Sequence, residues 1–330
     1  MNRALIPIVL GTLVGISSTI VSASKINFCV LDLMGANGDI MAIAKDYALA
    51  AKQWGVEVNP KVYLNVGSAL RDFESGKCNG LVADNFATKK YNGFMGTIGA
   101  VGAIPNYDIA QRVLTALSSP KLASRLKTKS YEVIGYMPYG LTYFYTKDRS
   151  IRNVDHLQNK TLGVLDVDSS QRRMAQKVGM RPVSVTFDNA VNKFKNDEIQ
   201  ILPAPLVVYH PMEIGKIMGD EGGIINYPLA LFTMNFIISN KGDYPDDFGQ
   251  KSRQWFSQQS PQLFKIVEKW DNSVPRNKIY SIPQIDHTSY DRLLSQLRKE
   301  FIDNKIYDNA MIALIRHVRC GQDPKFIECK

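Results

Sequence analysis

The sequence is poor in the residues that do chemistry. Its four histidines, His156, His210, His287 and His317, stand apart, and none falls in an HExxH or comparable spacing that would hold zinc. No GxSxG elbow is present, which excludes the nucleophile turn of an α/β-hydrolase. Glycines at 93, 96, 99 and 102 match neither a dinucleotide fingerprint nor a phosphate loop, and no Gly-Lys-Ser/Thr follows them. That stretch reads as a tightly packed buried segment. The adjacent carboxylates Asp246 and Asp247 sit at a helix start, where dipole stabilisation accounts for them. Catalysis is the main rival reading and finds no motif; no cofactor and no metal are expected.

Cysteine is also scarce. Four are present, without a CxxC spacing or a partnering histidine, so two structural disulfides are expected rather than a metal site or a catalytic thiol. Of three possible pairings, Cys320 with Cys329 is favoured by a Gly-Gln-Asp-Pro turn between them. Cys29 ends a first strand and Cys78 leads into a later one, and neighbouring strands would bring these two together.

Long apolar runs are missing after residue 23. Before it, Arg3, an apolar run over 4–16 and Val21-Ser22-Ala23 have the pattern of a secretory signal peptide cut after Ala23. Its small polar residues leave the run too short for a membrane anchor, and no cysteine lies near the cut to carry a lipid. The mature chain is therefore expected in the periplasm. The full sequence of 330 residues suits two domains, and 45% hydrophobic with 22% charged residues is an ordinary globular composition. A net charge of +9, or +8 once Arg3 leaves, favours an anionic partner. The basic residues are scattered and no nucleic-acid motif accompanies them, so nucleic acid is not expected.

What is present is an alternation of strands and helices, the pattern of an α/β fold with a mostly parallel sheet. Apolar residues repeat every second position over 26–31, then at helical spacing from Ile40 to Ala51. A second unit of the same plan runs from a strand over 160–165 through an Asp/Ser turn into a helix over 169–178. Strand ends feeding helix starts are where open α/β sheets bind ligands. Between the two units lies a long aromatic extended segment over 131–146. Further on, strands are expected over 224–227 and 229–239, a helix starting at Asp243-Tyr244-Pro245, a restart at Ser260-Pro261, and helices over 288–301 and 304–315.

On these residues the chain resembles the periplasmic solute-binding proteins of TRAP transporters, the class that binds C4-dicarboxylates, sialic acid and related acids. The likeness is sharpest over 135–211, in Tyr143-Phe144-Tyr145-Thr146-Lys147, the basic turn with Asp155-His156-Leu157-Gln158-Asn159-Lys160, and the run from Phe187 to Pro205. It is also similar to a divergent solute-binding group, some of whose members carry an efflux-associated label. The resemblance implies a two-domain, type II TRAP-like fold with crossing strands, a cleft between the domains and long C-terminal helices. It implies a first domain of 24–140 plus 235–330 and a second of 141–234, hinge closure over a small solute, and an inner-membrane transporter as partner. The family's carboxylate-binding arginines fall here at Gly163 and Thr142, and its Asn-Pro at Ala204-Pro205. The alternative is therefore an envelope interaction protein with a degenerate cleft. Candidate ligand-binding residues are Asn37, Asp84, Asn85, Tyr139, Tyr143, Asp168, Ser169, Arg172 and Asn235, with Arg172 the nearest replacement cation for an anionic solute.

Overall fold

The computed structural model describes residues 24–329; the expected leader and its cut after Ala23 lie outside the described residues. β1 (Ser24–Leu31) alternates inward Ile26 and Phe28 and is buried from Phe28 onward. A 3-10 turn over Gly35–Asn37 leads into α1 (Asp39–Gln53), which buries Ile40, Met41, Ala44, Tyr47 and Ala51 along one stripe. β2 (Val56–Tyr63), α2 (Val66–Glu74) and β3 (Gly80–Asp84) complete a parallel unit, β2-β1-β3. α2 starts where the Asn65 side chain accepts from the Ser68 amide, an N-cap. α3 (Asn85–Thr88) and α4 (Gly93–Gly96) follow, and the segment between residues 94 and 104 is buried throughout, as its small residues led one to expect. α5 (Tyr107–Ala116) is capped by Asn106.

Two long strands run through the molecule. β4 (Tyr131–Thr146) has the bounds expected from sequence. Beyond it, β5 (Thr161–Leu165), α6 (Ser169–Val178), β6 (Arg181–Val185), α7 (Ala190–Lys195), β7 (Ile201–Pro205) and α8 (Ile214–Met218) form the second unit, with β5 parallel to β6 and β7. β8 (Gly223–Ser239) then pairs antiparallel with β4 from Tyr131↔Ser239 to Thr146↔Gly223. β3 pairs with the late part of β8, and β7 with the late part of β4. The sheet order is β2-β1-β3-β8-β4-β7-β5-β6, so two parallel halves meet at an antiparallel centre. This is a two-lobe α/β architecture. The sequence suggested two strands over 224–239; there is one, because its Pro228 falls where β4 and β8 change register.

The β4–β8 ladder shifts register three times, once between Pro138 and Gly140. Gly140 there has φ +136°, a conformation that side chains strain to adopt. The pairing of the two long central strands is therefore irregular at this point.

α9 (Phe248–Ser273) runs 26 residues without a break. Two expectations are corrected here. It begins at Phe248, three residues after Pro245, and it does not restart at Pro261. A proline inside a helix costs about 3 kcal/mol, but Phe256, Leu263, Phe264 and Val267 on both sides of it are buried on one face and hold the helix in register. After β9 (Ile279–Tyr280), which adds to β8, come α10 (Gln284–Asp303) and α11 (Asn309–Gln322). α11 starts five residues later than expected, because Asp308 accepts from the Ala310 and Met311 amides as its N-cap.

Cys29 is bonded to Cys78 and Cys320 to Cys329, with Cα–Cα separations of 5.8 and 5.5 Å. The first bond follows from β1 and β3 lying side by side.

Candidate ligand-binding site

A cavity of about 130 Å³ lies at the junction of the lobes. The first lobe contributes Leu31, Ile40, Asp84 and Phe86, the second Leu162, Gly163, Asp168, Val185 and Phe187, and the crossing strands Tyr139, Thr142 and Phe232. A smaller recess shares Leu33, Ile40, Tyr139, Val208 and Met212 with it and adds Asp32, Asp39 and Trp270. Most of the wall is hydrocarbon, with a few polar groups, the usual make-up of a small-molecule site.

Asp84 is the polar centre. Only 1% of it is exposed. Its Oδ1 accepts from the Phe86 and Ala87 amides at 3.0 and 2.9 Å, while Oδ2 is buried without a partner. Burial pushes its carboxyl up to about 6, against the pull of those amides and with a further push from Asp168. The Thr142 hydroxyl is likewise buried, unpartnered and part of the wall. Unsatisfied buried polar atoms are rare and costly, and two of them belong to residues that line this one cavity.

Asp168 differs, because its oxygens are already engaged. It caps α6 through the Ser170 amide, accepts from the Ser170 hydroxyl at 2.7 Å, and has the Lys89 ammonium at 3.6 Å. Lys89 also lies over the Tyr307 ring, 5.0 Å from its centre. Tyr139 is held neutral by burial, and its ring sits 5.6 Å from that of Phe232. Phe86 and Phe187 pack edge-on against Phe232 at 5.5 and 5.7 Å. Four rings drawn from four separate segments thus meet at the cavity.

Of the sequence candidates, Asp84, Tyr139 and Asp168 line the cavity, and the others do not. Asn37, at the end of its 3-10 turn, and Ser169, the first residue of α6, are exposed to solvent. Tyr143 packs into the core at a register shift of β4. Arg172 donates to the Ser184 hydroxyl on β6 and is not among the residues lining the cavity. Asn85 and Asn235 are fully buried in a network behind the wall. Asn85 Oδ1 accepts from the Thr233 amide, Thr233 donates to Asn235 Oδ1, Asn235 Nδ2 donates to Thr88, and Thr88 donates to the Asp84 carbonyl. They fasten β8 to the turn that presents Asp84. The sequence reading missed Phe86, Phe187, Phe232, Ser170 and Tyr307. Thr142, Gly163, Ala204 and Pro205, singled out only as positions of the family's ligand contacts, all line the cavity.

Two lobes of similar plan, joined by shared strands and enclosing a small cavity, define a solute-binding protein. The family profile "Solute-binding protein AdeT 1/2" matches residues 41–330, and the chain belongs to that family. It is 36% identical over 300 residues to "Probable solute-binding protein AdeT1" of Acinetobacter baumannii, covering 91% of this chain and 98% of that one. Among solved structures, it is similar to a TRAP periplasmic solute-binding protein of Haemophilus influenzae with bound L-gulonate, at TM-score 0.71 and 12% identity over 89% of this chain and 99% of that one. A TRAP periplasmic solute-binding protein of Shewanella oneidensis with bound succinate gives TM-score 0.68 at 13% identity, over 89% and 98%.

Proposed function

We propose that this chain is a periplasmic receptor that encloses a small solute in the cavity by hinge closure and delivers it to an inner-membrane transport system. Residues 24–140 and 235–330 form one closing body and 141–234 the other, turning about the irregular centre of β4 and β8. The carrying observation is a cavity lined from both lobes and from the crossing strands between them. Solute contacts made to both halves are what supply closure energy. Asn65 donating to Asp188 across the cleft would latch the closed form. The related chains are solute-binding proteins, which supports binding without chemical conversion. In the described residues no helix is long and apolar enough to cross a membrane.

The test has two readings on one sample. Native mass spectrometry of freshly purified protein is expected to show a retained small molecule. After that molecule is removed by partial unfolding and refolding, small-angle scattering is expected to show a larger radius of gyration, restored when it is added back. A chain that retains nothing and keeps one radius throughout would instead be the envelope interaction protein.

A further inference from the structure

The chain as a whole is basic, with 40 Lys and Arg against 31 Asp and Glu. Its cavity is the reverse. The charged side chains lining the cavity and its adjoining recess are Asp84, Asp168, Asp32 and Asp39, with no Lys, Arg or His among the lining residues. Nearby cations are already committed. Lys89 faces Asp168, and Arg298, in α10 behind Val101, is paired with Glu328 at 2.6 Å and donates to the Val101 carbonyl. Asp32 is likewise satisfied, by the Met34 and Met41 amides. Of these four lining carboxylates, only Asp84 presents a buried oxygen with nothing to meet it.

Aromatic rings line the same cavity as Asp84. Phe86, Tyr139, Phe187 and Phe232 come together from both lobes, and aromatic faces attract a desolvated cation while repelling an anion. A carboxylate among rings in a low-dielectric pocket is a poor site for a dicarboxylate and a good one for an ammonium group.

Resting on the reading that this cavity is the solute site, we propose that its solute is a small apolar cation, with a charged nitrogen set between Asp84 and the ring cluster. The apolar body occupies the space beside Leu162, Val185 and Ala204. At about 130 Å³ the cavity is close to the roughly 150 Å³ engineered cavity that takes benzene, so a single ring with one aminomethyl arm is the right size. Asn235, through Thr88, positions Asp84 and does not touch the solute.

The experiment is isothermal titration calorimetry of the solute-free protein at pH 7.5 with three probes of one shape: benzylamine, benzyl alcohol and benzoate. Benzylamine is expected to bind at least tenfold more tightly than benzyl alcohol, and benzoate more weakly than either. Asp84→Asn keeps the oxygen that accepts from Phe86 and Ala87. It is expected to weaken benzylamine tenfold or more while leaving benzyl alcohol within about twofold. Should that variant fail to fold, the three probes on the natural chain still decide. Benzoate binding as tightly as benzylamine would overturn the cation while keeping the cavity as the solute site. Binding of none of the three at millimolar concentration would overturn the site itself.

Discussion

Replacing Asp84 by Asn should change how the stability of the solute-free protein depends on pH. In the fold this carboxyl holds its proton to about pH 6, because burial penalises its charge, whereas its ordinary value is 3.8. The folded state therefore binds more protons than the unfolded state between those limits. The stability that Asp84 contributes relative to Asn is complete below pH 3.8 and is lost as pH rises through 6. The full interval corresponds to a loss on the order of 3 kcal/mol, of which about 2 kcal/mol falls between pH 4.5 and 7.5. Asp168, Lys89, Tyr307, Arg298 and Glu328 surround the site and are unchanged by the substitution, as is Asp271 of α9, whose carboxyl burial also lifts to about 6. Their own titrations cancel in the difference, while the push of Asp168 on Asp84 is part of the effect being read. Melting followed by circular dichroism at the two pH values should show Asp84→Asn gaining about 3 °C on the natural chain as pH rises from 4.5 to 7.5. Parallel melting profiles would refute the reasoning, since they would mean that Asp84 ionises in the fold as easily as in water.

Removing the Cys29–Cys78 bond by a double Ser substitution should lower stability by about 4 kcal/mol, from the 49-residue separation it closes, and removing Cys320–Cys329, which closes 9, by about 3 kcal/mol; denaturant titration measures both. Gly140→Ala should cost about 1–3 kcal/mol, because its φ of +136° is hostile to a side chain and a new Cβ would meet Pro205 at 3.2 Å; an unchanged melting temperature would contradict it. Arg172→Ala should leave solute affinity within about twofold, because the guanidinium is engaged by Ser184 outside the lining. A tenfold loss by calorimetry would restore that arginine to the site.

The fold was legible where local chemistry and packing agree. The bounds of β4 and of α6 could be read directly, the first from a long aromatic extended segment that continues through Pro138-Tyr139-Gly140 and the second from the Asp/Ser turn before it. The Cys29–Cys78 bond followed once β1 and β3 were taken as neighbours, and Cys320–Cys329 from the short turn between its two cysteines. Pro261 misled because a local breaker was overruled by the apolar face on either side of it. The site was legible only in part. A turn after a buried strand pointed to Asp84 and Asp168, but the same signal also picked exposed Asn37 and Ser169. Whether a turn residue faces the cleft depends on how the lobes meet. Phe86, Phe187 and Phe232 are ordinary core residues in their own segments, and only tertiary contact makes them one cluster. Asn235 did interrupt an apolar strand for a polar reason, which turned out to be Thr88 and Thr233 rather than open cleft.

A crystal structure of the protein grown with benzylamine tests the central claim most directly. The account predicts the ring inside the cavity between the lobes and the nitrogen within hydrogen-bonding distance of Asp84 Oδ2. Density for the probe only on the outer surface, with the space between Asp84 and Phe232 unfilled, would contradict it.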